Sequence, residues 1–484
     1  MRLGQLDIAG LAVDSDAAQV EITGITADSR AVRPGFLFAA LKGVARDGAA
    51  FAPDAVRAGA RAVLAAPSVG LPPLGVPVIR ADDPRRMLAL IAARLFPRQP
   101  EHIVAVTGTS GKTSVAAFAR QIFEAAGYEA ASIGTVGVVT NHGVDPVNLT
   151  TPDPVTLHRT LERLDAAGVT HVAMEASSHG LDQRRLDGVR LRAAAFTNLG
   201  RDHMDYHPTV ADYLAAKLRL FAELVPASGA AVINMDSPVG AEVLAVSEKR
   251  GLRLIRVGKH ASEIRPERVM PDGFGQRMSV EAFGRRYDVL LPLAGAFQVS
   301  NALVAAGLAI AAGVPELAAF EALEGLRGAP GRLERVGETA KGALIYIDYA
   351  HKPEALTSAL GALKPLARGR LIVVFGAGGD RDQGKRPLMG MAAAAAADVT
   401  IVTDDNPRSE DPAAIRAAIL AGAPGAIEIP DRRKAIEAAI AMLGPGDILC
   451  IAGKGHETGQ IVGTEVLPFS DRTVVAEALK GCAA

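Results

Sequence analysis

The fold is decided by the stretch Ile103-Val104-Ala105-Val106-Thr107-Gly108-Thr109-Ser110-Gly111-Lys112-Thr113-Ser114. An unbroken apolar run meets a glycine-rich turn, and residues 115–126 continue with helical spacing. Glycines let backbone N–H groups point into a cradle for phosphate, Lys112 adds a positive charge, and the hydroxyl of Thr113 suits a Mg²⁺ ion. The stretch therefore predicts a strand, a phosphate-binding loop and a helix, with an ordinary strand-to-helix turn as the alternative.

Other apolar runs end in polar or glycine residues, as parallel strands do when a site lies at their carboxyl ends. In the middle of the chain, the run 169–174 is followed by Glu175. In the last third, the runs are 344–347, 371–375, 399–402 and 448–452, which lead into Asp348, Gly376, Asp404 and Gly453. The predicted class is α/β with three domains: a central parallel-sheet domain of the P-loop ATPase kind and a C-terminal Rossmann-like domain follow a mixed α/β segment.

The domain boundaries are predicted from length and from two breaks in the pattern. A chain of 484 residues exceeds the roughly 250–300 residues at which single cores stop growing. Phe96-Pro97-Arg98-Gln99-Pro100 is one proline-flanked break, and the glycine-rich stretch 325–331 is the other. The predicted domains are therefore 1–99, 100–331, which carries the phosphate loop and would bind nucleotide, and 332–484.

Composition excludes several classes of function. The formal net charge is −1, so there is no basic field of the kind that attracts nucleic acid. We see no apolar run near the ~20 residues that span a bilayer and no secretory signal, so a cytoplasmic location without a membrane span is expected. The two cysteines, Cys450 and Cys482, fit neither a disulfide framework nor a zinc site, and Cys450 should be a small buried hydrophobe. A monomer is the expected state.

Seven further motifs accompany the phosphate loop. They are Glu175-Ala176-Ser177-Ser178-His179-Gly180-Leu181, Thr197-Asn198-Leu199-Gly200-Arg201-Asp202-His203-Met204-Asp205-Tyr206-His207, Tyr213-Leu214-Ala215-Ala216-Lys217, Asp348-Tyr349-Ala350-His351-Lys352-Pro353, Gly378-Gly379-Asp380-Arg381-Asp382, Asp405-Asn406-Pro407-Arg408 and Gly453-Lys454-Gly455-His456-Glu457. In order and spacing, across nearly the whole chain, they resemble the motifs of the Mur ligase family.

The resemblance implies a reaction. A Mur ligase of this pattern would spend ATP to join meso-diaminopimelate to UDP-MurNAc-L-Ala-D-Glu, a small-molecule precursor in peptidoglycan synthesis. A substrate carboxylate would attack the γ-phosphate of ATP to give an acyl phosphate, which the amine of the amino acid would then open. The first step brings two anions together, so metal ions and lysines must neutralise charge on both.

The same resemblance implies the catalytic residues Lys112, Lys217, Glu175 and His203. Thr113 and Glu175 would hold one Mg²⁺ ion near the phosphates, and His203 would be a ligand of a second metal ion. Lys217 would be an N6-carboxylysine, a carbamate that forms with CO₂ only on a neutral amine, and burial favours the neutral form. Without the resemblance, Glu175 is a solvated carboxylate at a strand end, His203 a loop histidine bonded to its neighbours, and Lys217 a surface lysine.

ATP would contact the phosphate loop and the last domain. The implied residues are Gly108, Thr109, Ser110, Gly111, Lys112, Thr113, Ser114, Asn301, Arg332, Asp348 and His351. Arg332 alone could equally be a linker arginine. Gln298 and Lys352 stand where the family commonly has asparagine and a neutral residue, so no contact is assigned to either.

The resemblance implies that domain 1–99 binds the uridine end of one substrate and that domain 332–484 binds the amino acid. The substrate residues fall into two groups. Those implied for the UDP-linked dipeptide are Ser29, Thr150, Thr151, Ser177, Gln183 and Arg185, and those for meso-diaminopimelate are Arg381, Asp405, Asn406, Pro407, Arg408, Gly453 and Glu457. Serine and threonine near turns also cap backbone groups, which is the alternative for the first group. In the second group, Arg381 and Arg408 offer forks for the far carboxylate, which lysine lacks. A buried arginine left unpaired costs about 3–5 kcal/mol, so lysine should be rejected.

Three other functions stay open on the residues alone. Another ligase of the same superfamily could add a dipeptide or build folate polyglutamate, although the 405–408 and 177–185 stretches argue against both. A P-loop switch or motor would hydrolyse nucleotide without any UDP-sugar. A nucleotide-binding module without catalysis would not need Glu175, His203 and Lys217.

Overall fold

The protein is described here from a computed structural model. The structure describes residues 1–11, 13, 15–43, 46–200 and 202–482, and side chains in this range except those of residues 15, 16 and 482. Arg201, within one of the quoted motifs, lies outside the described residues, as does the side chain of Cys482. The chain forms two compact units, residues 1–263 with 304–319, and residues 264–303 with 320–484.

The first part of the chain forms a small parallel sheet. Its strands are β1 (Gly24–Thr26), β2 (Phe36–Ala39), β3 (Ala62–Ala65) and β4 (Val78–Arg80), paired in that order, and its helices are α1 (Ser15–Ala18), α2 (Ala52–Arg57) and α3 (Pro84–Leu95). Leu37, Leu64 and Ile91 pack in its core. Helix α3 begins at a proline, and the side chain of Asp83 accepts from the N–H of Arg86, which caps an otherwise unpaired donor. The prediction of a mixed α/β segment is confirmed.

The rest of the first unit is built on a larger sheet. Its strands are β5 (His102–Thr107), β6 (Ala130–Gly134), β7 (Gly137–Thr140), β8 (Gly143–Asp145), β9 (His171–Glu175), β10 (Leu191–Phe196), β11 (Ala230–Asn234) and β12 (Arg253–Val257). The helices are α4 (Lys112–Ala125), α5 (Pro154–Ala166), α6 (Ser178–Asp182), α7 (Val210–Arg219) and α8 (Gly240–Lys249). The strand order is β12-β11-β10-β5-β9-β6-β7-β8, parallel from β12 to β6.

Strand β5 lies between β9 and β10, and this placement positions the phosphate loop. Val106 of β5 is in register with Glu175 of β9, and Thr107 with Phe196 of β10. The loop after β5 therefore opens beside the ends of both neighbouring strands. This is the switch point of an open α/β sheet, where ligands bind.

Three predicted bounds in this unit were wrong by one to three residues. The helix begins at Lys112 because Gly111, at φ +87°, turns the chain directly into it. Hydrophobic spacing detects only the apolar residues of the helix, which start at Val115, although Thr113 and Ser114 are buried as well. The predicted strand 169–174 begins at His171, because the N–H of Val169 bonds to Leu164 O at the end of helix α5. It runs on to Glu175, a polar residue that apolarity does not include.

The second unit holds an antiparallel meander and a second α/β sheet. The meander is β13 (Ile264–Asp272), β14 (Gly275–Ala282) and β15 (Arg285–Leu291). The sheet consists of β16 (Glu334–Glu338), β17 (Leu344–Asp348), β18 (Leu371–Phe375), β19 (Val399–Val402), β20 (Ile427–Glu428) and β21 (Ile448–Ala452), in the order β16-β17-β21-β18-β19-β20, and β22 (Gly459–Val462) pairs with β23 (Glu465–Pro468). All but the edge strand β16 are parallel.

Helices cover both faces of the second sheet. Helices α9 (Ala296–Ala311) and α10 (Glu316–Glu321) precede it, and α11 (Pro353–Leu363), α12 (Lys385–Ala396), α13 (Pro412–Leu420), α14 (Arg432–Ala441) and α15 (Asp471–Cys482) alternate with its strands or follow them. The strands β17, β18 and β21 are buried on both faces, which is why their sequences are unbroken apolar runs. Cys450 is buried in β21, as predicted, and burial raises the pKa of its thiol.

The predicted fold class is confirmed: the architecture is α/β with parallel sheets, a phosphate-loop domain and a second doubly wound domain. The exact boundaries at 99/100 and 331/332 stay predictions. Within the described residues, no helix combines the length and the apolarity needed to cross a bilayer.

Candidate active site

The phosphate loop is shaped by two glycines and held from the neighbouring strand end. Gly108 has φ +144° and Gly111 has φ +87°. A Cβ at Gly108 would lie 1.9 Å from Thr197 Oγ1, so only glycine fits there. Asn198 Oδ1 accepts from the N–H of Ser110 at 2.9 Å, and Thr197 Oγ1 donates to Ser110 O at 2.6 Å. The loop is therefore preformed, with the segment after β10 as its support.

Two lysines converge on one carbonyl of this loop. Lys112 Nζ donates to Gly108 O at 2.9 Å, and Lys217 Nζ donates to the same oxygen at 2.7 Å. Lys217 is 1% exposed and lies 4.2 Å from the centre of the Tyr213 ring. Burial, and then the charge of Lys112, hold the pKa of Lys217 well below its usual value. The alternative of a surface lysine is wrong, and the side chain meets the condition for reacting as a neutral amine.

The Glu175 carboxylate lies at the same strand edge and is 2% exposed. Thr113 Oγ1 donates to its Oε2 at 3.1 Å, and the N–H of Thr135 donates to its Oε1 at 2.8 Å. Thr135 Oγ1 adds a bond to Oε2 at 3.3 Å. A solvated strand-end carboxylate, the alternative for Glu175, is therefore wrong. Thr135 was missed in the sequence because nothing distinguishes it from an ordinary turn threonine.

These oxygens are chemically suited to a magnesium ion. Mg²⁺ prefers oxygen ligands, and Thr113 and Glu175 offer a hydroxyl and a carboxylate in direct contact. Thr113 is the residue that follows the loop lysine, where a metal-ligating hydroxyl is expected. The pair therefore fits the predicted metal, and its role as a ligand pair stays a prediction.

His203 occupies a different environment. It is exposed, has φ +54°, and its Nε2 lies 3.7 Å from Asp202 Oδ2. Its ring lies 4.7 Å from that of His179, whose pKa falls to about 4 through burial and then through the neighbouring His203. In the described part of the chain, no three His, Cys, Asp or Glu side chains converge on one metal position. The role of His203 as a ligand of a second metal ion therefore stays a prediction.

Apart from Ser29, the residues predicted for the UDP-linked dipeptide form one hydrogen-bonded cluster at the strand edge where Glu175 lies. Thr151 Oγ1 donates to Glu175 O at 2.8 Å and accepts from Ser177 Oγ at 3.0 Å. Arg185 donates to Thr151 O and to Gln183 Oε1, both at 2.7 Å. Thr150 Oγ1 lies 3.0 Å from the hydroxyl of Thr135. Ser177 Oγ also accepts from the N–H of Gly180 at 3.0 Å, so the capping alternative holds for this serine.

A cavity of about 680 Å³ lies in the same unit, near Ser29, which is predicted to contact the UDP-linked dipeptide. Its lining includes Thr26 at the end of β1, Asp28 and Arg33 from the segment between β1 and β2, and Asp153 and Arg159 from the region of helix α5. Ser29 follows Asp28 but is outside the lining, so its neighbours are better placed for a ligand than Ser29 itself.

In the second unit, the predicted nucleotide residues gather at the end of β17. Asp348 accepts from the N–H groups of Leu333 and Ala350 at 2.6 and 2.8 Å. Burial raises the pKa of Asp348 to about 6, against the opposing effects of Arg332 and these two N–H groups. The Arg332 guanidinium lies 4.7 Å from the Tyr349 ring centre, a packed position that a mere linker arginine would not need.

His351 and Asn301 complete the predicted nucleotide set. His351 Nδ1 lies 2.8 Å from Tyr349 O, and burial lowers the pKa of His351. Asn301 Nδ2 donates to Gln298 Oε1 at 3.1 Å, and both side chains are buried. Gln298, where the chain differs from the commoner family pattern, thus holds the amide of Asn301.

The residues predicted for the amino acid meet at the ends of β18, β19 and β21. Asn406 Nδ2 donates to Glu457 Oε2 at 2.9 Å. Gly453 has φ +111°, and a Cβ there would lie 2.5 Å from Asp405 Oδ2. A side chain at Gly453 is therefore excluded by conformation and by space. Pro407, the remaining member, contributes a carbonyl that would lie 1.8 Å from a Cβ on Gly379.

Two arginines stand at this edge with backbone partners. Arg408, at φ +52°, donates from Nη1 to Gly379 O at 2.9 Å. Arg381 is exposed and donates from Nη1 to Asp380 O at 3.1 Å. A third cation, Lys454, is completely buried between Asn406 and Glu457. Sequence reasoning gave Lys454 no role because its burial arises only when the loop after β21 folds onto the loop after β19.

The fold and the phosphate-loop site define a nucleotide-binding α/β protein built from several sheets, and three family models identify it further. They are "Mur ligase family, catalytic domain" over residues 21–95, "Mur ligase middle domain" over 106–309 and "Mur ligase, glutamate ligase domain" over 331–455. The chain belongs to the Mur ligase family, as the resemblance in its motifs predicted.

Individual relatives narrow the similarity. A UDP-N-acetylmuramoyl-L-alanyl-D-glutamate–2,6-diaminopimelate ligase of Mesorhizobium japonicum is 59% identical over 480 residues, 99% of each chain. The protein of the same name from Bradyrhizobium diazoefficiens is 60% identical over 485 residues, again 99% of each. A solved structure of a ligase with that name superposes with a TM-score of 0.75 at 32% identity and covers all of both chains.

Proposed function

We propose that this chain joins meso-diaminopimelate to UDP-MurNAc-L-Ala-D-Glu and converts ATP to ADP and phosphate. The observation that carries the proposal is the convergence of Lys112 and Lys217 on Gly108 O beside the buried Thr113–Glu175 pair. A preformed anion-binding loop that carries the charge of Lys112 suits a step in which two anions must meet. The relatives that share the whole length of the chain and carry this ligase name support the choice of substrates.

The chemistry runs in two steps. The side-chain carboxylate of the D-glutamyl residue attacks the γ-phosphorus of ATP, a P–O bond forms, and ADP leaves with the electrons of the bond that breaks. The amine of the amino acid, after losing a proton, then attacks the acyl carbon, and the C–O bond to phosphate breaks as the amide forms. Lys112 and the N–H groups of the loop would neutralise the phosphates in both steps.

Mg²⁺ is the proposed metal, with Thr113 and Glu175 as ligands of one ion on the loop side and His203 as a ligand of a second ion. When bound, it would reduce the negative charge on the phosphate oxygens that the carboxylate must approach. The chain's own contribution is to hold the Thr113 hydroxyl and the Glu175 carboxylate in place. Thr135 does this through its N–H and its hydroxyl.

Lys217 is the proposed site of a carbamate. Its amine is buried, its pKa is lowered, and the charge of Lys112 lies nearby. A carbamate would place a negative charge beside Lys112, at a position where burial and the charge of Lys112 disfavour the ammonium form of Lys217. Intact mass measured in bicarbonate should show the addition of one CO₂, and Lys217→Arg should lack it.

Selectivity for meso-diaminopimelate would come from Arg408 and Arg381 on the carboxylate that lysine lacks. Arg408 donates to Gly379 O and Arg381 to Asp380 O, and each can exchange this neutral carbonyl for a ligand carboxylate. Asn406 and Glu457 would take the ammonium. The proposed compartment is the cytoplasm, where ATP is available, the proposed state is a monomer, and the product would enter the cell-wall synthesis on which cell shape and division depend.

One experiment tests the whole proposal. The purified protein is incubated with ATP, Mg²⁺ and UDP-MurNAc-L-Ala-D-Glu, together with meso-diaminopimelate, lysine or a dipeptide, and phosphate release and product mass are measured. We expect phosphate release and one new amide only with the UDP-linked dipeptide and meso-diaminopimelate. Phosphate release independent of the UDP-linked dipeptide would indicate a nucleotide hydrolase instead. Equal rates with lysine would contradict the selectivity.

A further inference from the structure

Lys454 is an unusual lysine because no part of its side chain reaches solvent. It lies in the loop between β21 and β22 and is 0% exposed. Its Nζ donates to Asn406 Oδ1 at 3.0 Å and to Glu457 Oε2 at 3.0 Å. A buried ammonium costs free energy unless it is paired and hydrogen-bonded, and here both conditions are met. The phosphate chemistry proposed above does not use this residue.

The lysine determines which way the Asn406 amide points. Asn406 Oδ1 accepts from Lys454 Nζ at 3.0 Å and from the N–H of Ile461 at 2.9 Å. Two donors on one side of the amide require its oxygen there. The NH₂ group must therefore point the other way, where it donates to Glu457 Oε2 at 2.9 Å.

The result is a carboxylate whose two oxygens differ. Within the described residues, both side-chain hydrogen bonds of Glu457 end on Oε2, one from Lys454 and one from Asn406. The side chain remains 31% exposed, so Oε1 is available to a ligand. A fixed, negatively charged oxygen at the edge of a site suits the ammonium of an amino acid.

A second buried cation supports the same loop from behind. Arg432 is fully buried, forms two bonds to Asp471 at 2.7 and 2.8 Å, and donates to Ala452 O at 3.0 Å. The negative charges of Asp405 and Glu457 act on it. Because the Arg432 bond anchors Ala452, the start of the loop that carries Lys454 is held in place.

We propose that Lys454 is a positioning residue for the incoming amino acid: it orients Asn406 and holds Glu457 Oε2, so that Glu457 Oε1 receives the substrate ammonium. This inference rests on the proposed function, in which the amino acid binds at this edge. Lys454 itself contacts no substrate. Its effect passes through Asn406 and Glu457.

The test compares Lys454→Met, Lys454→Gln and the matched control Lys434→Met, a lysine on the exposed side of helix α14. The KM values for meso-diaminopimelate, ATP and the UDP-linked dipeptide are measured for each full-length variant, with thermal unfolding as the folding control. We expect Lys454→Met to raise the KM for meso-diaminopimelate at least about tenfold, the effect of losing charge-assisted hydrogen bonds. The KM values for ATP and for the dipeptide should not change, and Lys434→Met should match the unmodified protein in all three.

A double variant separates positioning from a general loss of structure. If Lys454 acts through Glu457, Lys454→Met combined with Glu457→Gln should raise the KM for meso-diaminopimelate no further than Glu457→Gln alone. Additive effects, or a parallel rise of all three KM values, would overturn the proposal. So would failure of both Lys454 variants to fold, since Lys454 would then be required for the fold itself.

Failure of this inference can be told apart from failure of the proposed function. If the unmodified protein forms no amide with any amino acid, the proposed function fails. If the unmodified protein is active with meso-diaminopimelate and Lys454→Met keeps the same KM for it, only the positioning role fails.

Discussion

Two strand edges of this protein carry similar residue types that differ in their exposure and in their bonding partners. At the end of β5 and β9, the ionisable side chains of Lys217 and Glu175 are 1% and 2% exposed and are held by hydrogen bonds. At the edge of the second sheet, Lys454 is equally buried, but Arg381 is exposed and Arg408 half-buried. Both arginines there use backbone carbonyls as partners.

The difference separates reaction chemistry from recognition. Groups that must act on developing charge are more effective when they are fixed and dry before substrate arrives. Groups that must recognise a free amino acid need bonds they can exchange for better ones. Arg381 and Arg408 can exchange a neutral carbonyl for a carboxylate, whereas Lys217 and Glu175 have no such freedom.

The largest effect is expected from a substitution at the buried edge, where β5 and β9 end. Lys217→Met removes the amine and, with it, any carbamate, and kcat should fall by about a hundred- to a thousandfold, as when one preorganised group of an active site is lost. The KM for meso-diaminopimelate should change little, because that site lies in the other sheet. Steady-state kinetics with Lys249→Met as the exposed control would check this, and a kcat within the range of the control would contradict the comparison.

The second-largest effect is expected from a substitution at the edge of the second sheet, where the arginines can exchange their hydrogen bonds. Arg408→Ala should raise the KM for meso-diaminopimelate by about ten- to a hundredfold, the effect of losing a charged hydrogen-bond pair, while the KM for ATP stays unchanged. Arg433→Ala, on the exposed face of helix α14, serves as the control. Equal changes in both KM values would refute the role of Arg408 in recognition.

A smaller effect concerns the stability of the first unit in acid. His158 is 0% exposed, and burial lowers its pKa from 6.5 to about 4. Between these values the unfolded chain binds a proton that the folded protein does not, so stability rises with pH and is lost as pH falls from 6.5 towards 4. The His158→Gln variant should therefore lose about 2 kcal/mol less than the unmodified protein between pH 7 and pH 5.

Urea unfolding at both pH values measures this difference, with the exposed His260→Gln as the control. The same pH dependence in His158→Gln and in the unmodified protein would show that the acid sensitivity does not come from this histidine.

The smallest expected effect tests which hydrogen bonds hold the Glu175 carboxylate in place. Thr135→Val keeps the N–H that donates to Glu175 Oε1 but removes the hydroxyl bond to Oε2. We expect kcat to fall by about fivefold, equivalent to about 1 kcal/mol for one hydrogen bond. Thr140→Val, which removes a hydroxyl from β7 that does not contact Glu175, is the control. A Thr135→Val rate equal to it would mean that the Thr135 N–H and the Thr113 hydroxyl are sufficient to hold the carboxylate.

Much of the fold could be predicted because parallel strands are buried on both faces and read as unbroken apolar runs. Strands β17, β18, β19 and β21 were predicted within a residue of their bounds. The errors came where local pattern and structure differ, at the start of helix α4 and at both ends of β9. The roles assigned to the individual site residues and the domain boundaries stay predictions.

What the sequence by itself determined is local: the strand, the loop and the helix around Gly108, Gly111 and Lys112, and the family that its motifs define. Only the tertiary structure decided which polar side chains are dry. Lys217 and Lys454 read as ordinary lysines in the chain, and Thr135 as an ordinary threonine, because burial depends on segments far away in sequence that pack over them. The sequence shows which side chains can carry a charge. Their solvent exposure, which determines the chemistry of that charge, is a property of the folded protein.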